Sequence, residues 1–387
     1  MPNLSVRLAD LPLSGIRQMM DLARRTPDII RLEVGDPDAQ TPSYITEGAF
    51  RWAASTRVGY PPTAGYQDLR EAISRKLIES NGIEAPADDV VVTVGATGAL
   101  FLSLHAIIDP DDEVLVPDPG WAGYPAMVAT AGGRLATYQL DAEDDFQLRA
   151  DAVRNAVTDR TRAIILNSPN NPTGAVADRT ELGAVLEVAA SHDLWVLSDE
   201  CYEDLIFEGE HVSPATLSED AASRTVSIYS FSKSYAMTGW RVGYCTAPPE
   251  VASGIARLQS PAVASPSGIS QRGALEALEG PKDATEEMRQ TYLRRRRLAT
   301  ALLDDADTRY VYPAGAFYLL LDLRDREADS MTLAKELVMK AGVCTTPGSA
   351  FGNAGEGFLR VSLACPDDQL REGLKRIVGY LRGQLSS

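Results

Sequence analysis

The chain is 387 residues long, 44% hydrophobic and 24% charged, with 37 Lys and Arg against 54 Asp and Glu for a net charge of −17. That length and apolar content allow more than one packed lobe and exclude a disordered or fibrous chain. The acidic balance argues against nucleic acid or an anionic membrane as the main partner.

Residues 1–10 lack the apolar stretch of a signal peptide, and no apolar run approaches the roughly 20 residues that span a bilayer; a cytoplasmic protein is expected. Four cysteines without CxxC spacing and only three histidines predict neither a disulfide framework nor a metal centre. From residue 90 the sequence alternates. The run 90–94 reads as a buried strand with a helix over 96–108 behind it, on which His105 reads as packing. Further short apolar runs lie at 113–116, 163–166, 194–197, 225–229 and 242–245, with helical stretches such as 180–191 between several of them. This alternation predicts a mostly parallel sheet covered by helices on both faces. Beyond about residue 282 come a long charged helix (283–305), strands at 316–323 and 358–363, and helices at 332–341 and 367–382. They read as a smaller α+β lobe. The basic run Arg294-Arg295-Arg296-Arg297 reads as a solvated helix face.

A parallel sheet delivers functional groups at the carboxyl ends of its strands, and four segments stand there. Gly95-Ala96-Thr97-Gly98 can bring backbone N–H groups and a helix dipole to a phosphate, although a plain strand-to-helix turn reads equally well. It is neither a Walker loop nor GxGxxG. The loop from Asn167 to Gly174, with two prolines, can hold an amide side chain in fixed orientation. Asp199 and Tyr202 place a carboxylate and a phenol three residues apart, with a helix N-cap as the alternative for Asp199. Lys233, flanked by Ser232 and Ser234 and followed by Arg241, is a lysine that can lose its proton and form a Schiff base.

The segment 230–243 resembles the lysine-attachment signature of the class I/II aminotransferases, the fold-type I pyridoxal-phosphate enzymes. The likeness spans essentially the whole chain. Leu32 to Asp38 is similar to the family's substrate-carboxylate loop, and Tyr60 to Gly65 with Leu69-Arg70 to its interface segment. Asn170 to Gly174, Ser198 to Tyr202 and Phe358 to Ser362 follow in the family's order. The resemblance implies a mostly parallel seven-stranded sheet in a large cofactor-binding domain at 46–282. A smaller α+β domain would form from 1–45 and 283–387. It also implies ping-pong transfer of an amino group between an amino acid and a 2-oxo acid.

By the same resemblance, Lys233 forms the internal aldimine and then shuttles a proton between substrate and cofactor. Asp199 pairs with the pyridine nitrogen, Tyr202 and Asn171 bond the ring oxygen, and Trp121 stacks on the ring. Gly95, Ala96, Thr97, Ser230 and Arg241 surround the phosphate. Tyr60 reaches the phosphate of a neighbouring subunit, so a homodimer with shared sites is implied. Arg360 grips the substrate α-carboxylate, with Asn171 and a backbone contact from Gly35 beside it. Related enzymes of this fold perform elimination, cyclisation or oxidation, and a non-catalytic cofactor-binding protein is a further alternative. The motif Leu11 to Arg17 resembles the ordinary aminotransferases and favours transamination. Aspartate-preferring relatives carry a lysine where Thr97 stands or an arginine near Ser260-Pro261-Ala262; neither cation is present, so a non-acidic amino donor is expected.

Overall fold

The computed structural model describes residues 11, 14–281 and 283–384. Readings made on residues 1–10, and the Pro12-Leu13 part of the 11–17 motif, lie outside the described residues. The strands are Ile30–Arg31 (β1), Val90–Thr93 (β2), Glu113–Asp118 (β3), Arg134–Gln139 (β4), Thr161–Asn167 (β5), Trp195–Asp199 (β6) and Thr225–Ser230 (β7). After them come Gly243–Thr246 (β8), Tyr310–Val311 (β9), Tyr318–Asp322 (β10), Val343–Cys344 (β11), Thr346–Pro347 (β12) and Phe358–Ser362 (β13).

Seven strands form the main sheet in the order β2-β8-β7-β6-β5-β3-β4, and only β8 runs against the others. Every residue of β2, β3 and β8 is buried, as expected of strands covered on both faces. These are the runs that the sequence displays as continuous apolar stretches. β4 was not anticipated. It closes one edge of the sheet, and of its six residues only Tyr138 is fully buried, so it offers no apolar run.

A second sheet, antiparallel throughout, has the order β12-β13-β10-β9. The strand expected at 316–323 is confined to β10 because Ala316 turns the chain at φ 57°. The helix expected at 332–341 starts earlier, at Ser330, and its last turn, Leu337–Ala341, widens into a π-helical turn. One core joins β10 and β13 to the helices Asp283–Asp305 and Asp367–Leu381 through Tyr292, Leu303, Leu319, Leu370 and Ile377. Full burial of each such aliphatic side chain contributes about 1.5–3 kcal/mol.

The arginine run departs from expectation. Arg295 and Arg296 are 6% and 4% exposed rather than solvated. Arg295 holds both oxygens of Asp38 at 2.7 Å and Asp367 at 3.0 Å, while Arg296 donates to Glu208 and to the Pro313 carbonyl. Only Arg294 and Arg297 keep to the solvent face. His105 packs as expected, with its ring centroid 4.1 Å from that of Phe101.

The stretch from Ile30 to Thr41 runs along the seam between the two sheets. β1 pairs in parallel with β11, and the Leu32 carbonyl accepts from the Ser362 N–H. Asp36 accepts from the Thr238 hydroxyl at 2.6 Å, and Thr41 donates to the Ala236 carbonyl at 2.6 Å.

Candidate active site

The carboxyl ends of β5, β6 and β7 open on a cavity of about 340 Å³, lined among others by Asn167, Asp199, Ser230 and Lys233. The helix Gly95–Ile107 starts beside it, directly after β2. Because β8 is antiparallel, its amino end delivers Arg241 to the same rim. Gly95 sits at φ 70°, and a Cβ there would come within 2.7 Å of the Arg241 guanidinium. Gly243 is equally constrained, since a Cβ would meet the Ala96 nitrogen at 2.6 Å. Both glycines are therefore required for a guanidinium and a helix amino terminus to share one space. Thr97, Ser230 and Ser232 add hydroxyls to that end of the cavity. The local chemistry suits a multiply charged anion.

In the same cavity, Asp199 ends β6 and is 6% exposed. Its Oδ2 accepts from the Tyr124 hydroxyl at 2.7 Å and its Oδ1 from the Cys201 N–H at 3.4 Å. β6 runs into turns rather than a helix, so Asp199 is not an N-cap. Burial raises its pKa above the usual carboxylate value, while the bonds from Cys201 and Tyr124 restrain the rise. No ion pair reaches Asp199 among the described residues.

Lys233 follows β7 and donates from Nζ to the Gly35 carbonyl at 2.5 Å. Asn167 ties the next loop in place, donating to the Asp199 carbonyl and accepting from the Asn171 N–H, both at 2.9 Å. Asn171 Oδ1 in turn accepts from Arg360 at 2.9 Å. Arg360, on β13, is 2% exposed and also donates to the Glu33 carbonyl at 2.7 Å. Its guanidinium lies 4.2 Å from the ring centre of Tyr318 and 4.8 Å from that of Phe351. Burial lowers its pKa from the usual arginine value, and its Nε has no partner. Such an arginine is placed to receive a carboxylate. Tyr202 meets Tyr318 hydroxyl to hydroxyl at 3.0 Å, and burial, then Tyr318, pushes its own pKa far up.

Of the residues singled out in the sequence, Gly35, Ala96, Thr97, Trp121, Asn171, Asp199, Tyr202, Ser230, Lys233, Arg241 and Arg360 all line this one cavity. Gly95 borders it through Arg241. Tyr60 does not join them, being 93% exposed on the surface of the chain. Tyr124 and Tyr318 went unassigned from sequence. Tyr124 stands three residues after Trp121 with no pattern of its own to mark it, and Tyr318 is hidden in an apolar strand. The four cysteines are free, and among the described residues no group of three or more His, Cys, Asp or Glu is placed to hold a metal. None of the described helices is long and apolar enough to cross a membrane.

Residues 27–377 match the family model "Aminotransferase class I and II". A probable aspartate/prephenate aminotransferase of Aquifex aeolicus is 41% identical, over 92% of both chains. The aspartate/prephenate aminotransferase of Thermus thermophilus is 40% identical over 94% of this chain and 93% of its own. The crystal structure of an aromatic aminotransferase from Pyrococcus horikoshii superposes with a TM-score of 0.90 at 37% identity, covering 95% of this chain and 99% of that one. With a family match over nearly its whole length and relatives above 30% identity, the chain belongs to the class I and II aminotransferases, enzymes of fold type I that transfer amino groups with pyridoxal phosphate.

Proposed function

We propose that this aminotransferase takes its amino group from a non-acidic amino acid and passes it to a 2-oxo acid in two half-reactions, with the Lys233 amine carrying the proton. The observation behind this reading is that an amine, a buried carboxylate and a buried arginine, from three distant parts of the chain, line one cavity. When bound, pyridoxal phosphate supplies an aldehyde for the amino group and a ring that draws electrons from the substrate Cα. The residues fit it. Asp199 is a buried carboxylate without an ion pair among the described residues, which favours a cationic N–H partner such as the ring nitrogen. Arg241, the Ala96 and Thr97 N–H groups and the Thr97 and Ser230 hydroxyls would hold the phosphate, in the space that Gly95 and Gly243 keep clear.

Trp121 would lie against the ring face, and Asn171 and Tyr202 would donate to the ring oxygen. Asn171 spends its Oδ1 on Arg360, which leaves the amide nitrogen as its donor. The Asn171 Oδ1 and the Glu33 carbonyl each take one Arg360 N–H, so its remaining N–H groups would take the α-carboxylate, with the Gly35 backbone beside it. Lys233 Nζ would then remove the proton from Cα and return it on the way to product.

The donor class follows from charge. The cations lining the cavity are Lys233, Arg241 and Arg360, and each already has a role. Thr97 is uncharged, and residues 260–262 contribute no cation for a second carboxylate. The names of the relatives from Aquifex and Thermus include aspartate, so initial rates across a panel of amino donors decide the matter. Aspartate as the clearly fastest donor would overturn the assignment.

The same reading includes a homodimer with shared sites, in which Tyr60 reaches the partner's phosphate. Phe50, Val58 and Val263, large apolar side chains at 61%, 44% and 47% exposure, are consistent with a surface that a second copy covers. It also includes a large domain at 46–282 and a small one from 1–45 and 283–387, and residence in the cytoplasm, with which four unpaired cysteines agree. Sedimentation of the holoenzyme tests the dimer; a monomer with full activity would refute site sharing.

A further inference from the structure

We infer that Tyr124 is a positioning residue for amino transfer: its hydroxyl aims the Asp199 carboxylate at the ring nitrogen of pyridoxal phosphate and keeps the proton on that nitrogen. The inference rests on the assignment of Asp199 above.

A carboxylate turns easily about its last torsion, so its bonds set its direction. Asp199 accepts such bonds from Tyr124 and from the Cys201 backbone, with the Cys201 thiol also against it, and the first two are unequal. The Cys201 N–H is 3.4 Å from Oδ1, whereas the Tyr124 hydroxyl is 2.7 Å from Oδ2. The shorter one fixes the group. It also ties separate parts of the sheet together, because Tyr124 follows β3 and Asp199 ends β6, with β5 between them. Tyr124 is fully buried, so no water competes for its hydroxyl. Its ring meets Trp121 edge to face, 5.3 Å between centres and 83° between planes. One side chain thus braces the indole proposed to cover the ring and aims the carboxylate proposed to face its nitrogen.

The bond has a direction in charge as well as in space. A hydroxyl donating to a carboxylate stabilises the ionised form and makes the oxygen a weaker base. Burial of Asp199 works the other way. A weaker base at Oδ2 leaves a shared proton on the ring nitrogen, where it strengthens the pull on electrons from Cα. Burial and the Asp199 charge push the Tyr124 hydroxyl itself far above its ordinary pKa, so it stays a donor at any working pH.

The experiment compares Tyr124→Phe, Tyr138→Phe and Asp199→Asn in the holoenzyme loaded with ring-¹⁵N pyridoxal phosphate. The readouts are the ¹⁵N signal against pH, the single-turnover rate of the donor half-reaction and thermal stability. Tyr138 is the control because its hydroxyl is also buried and makes one bond, 2.9 Å to the Ile165 carbonyl. Tyr124→Phe is expected to move the ¹⁵N signal toward the unprotonated ring and slow the half-reaction about tenfold or more, the weight of a bond to a charged group. Tyr138→Phe is expected to lower stability and leave signal and rate alone. If Tyr124→Phe takes up no cofactor, Tyr124→3-fluorotyrosine keeps the shape with a stronger donor, and the signal must move toward the protonated ring. An unmoved ¹⁵N signal in the Tyr124 variants, with Asp199→Asn shifting it, overturns the inference alone. An unmoved signal in Asp199→Asn overturns the site assignment beneath it.

Discussion

Replacing Arg360 with lysine tests how the cavity recognises its substrate. The guanidinium has five N–H donors. Nη1 gives one to Asn171 at 2.9 Å and Nη2 one to the Glu33 carbonyl at 2.7 Å, with a long 3.4 Å contact from Nη2 to Thr346. Nε gives none. Enough donors remain for two parallel bonds to a carboxylate. Lysine keeps the charge and one of those bonds but loses the fork. A bond to a charged group is worth about 1.5–3 kcal/mol. At about 1.4 kcal/mol per tenfold, Arg360→Lys should cut kcat/KM for the amino donor about 10- to 150-fold. Stopped-flow measurement of the donor half-reaction reads the loss, and a cofactor titration should find pyridoxal phosphate bound as in the parent. An amine with the same side chain but no α-carboxylate supplies the decisive comparison, because parent and variant should process it equally slowly. Equal losses on both donors, or an undiminished kcat/KM, would refute the reasoning.

Lys233→Ala should abolish turnover, and borohydride treatment followed by peptide mapping should find the cofactor fixed to residue 233 in the parent only; a label elsewhere contradicts the assignment. Glu200→Gln addresses a buried pair behind the cavity, where Glu200 contacts His211 at 2.7 Å and accepts from Tyr229 at 3.0 Å and from Ser213. Burial pulls the His211 pKa down, but the bond and charge of Glu200 outweigh it and raise it above the ordinary imidazole value. Stability from a raised histidine is complete below its unfolded pKa, near 6.5, and disappears as pH climbs through the folded one. The Tm gap between parent and Glu200→Gln should therefore be widest near pH 6, about 1–3 kcal/mol of destabilisation, and narrow in alkali; a gap independent of pH contradicts it. Gly352 sits at φ 127° against Asp118, whose carboxylate accepts the Asn353 and Ala354 N–H groups at 3.2 and 3.0 Å. Gly352→Ala should cost about 1–3 kcal/mol by denaturant titration, from backbone strain and a crowded carboxylate.

Much of the fold was legible because strands buried on both faces are written as short apolar runs. β3 and β8 are of this kind, and β4 is not: an edge strand with one buried residue in six looks like a loop. Arg295 and Arg296 were misread for a different reason. Their partners Asp38, Asp367 and Glu208 lie up to 257 residues away, and no local pattern announces a buried ion pair of that span. Within the site, polar residues at strand ends stood out against their apolar flanks, as Asp199 and Asn167 do. Tyr318 did not, since a tyrosine in an apolar strand looks like packing until its hydroxyl is seen against Tyr202. Tyr60 could be singled out only through its motif, and the single chain leaves it on the surface.

The seam-running stretch that contains Gly35 carries a consequence for biosynthesis. Its contact with Lys233 spans 198 residues and its contact with Arg360 spans 327. A ribosome makes this stretch 198 residues ahead of Lys233 and 327 ahead of Arg360, so those contacts must wait until each partner has emerged. Loop closure over such distances slows folding. Truncated products ending before β13 should therefore be inactive even where the main sheet has already formed.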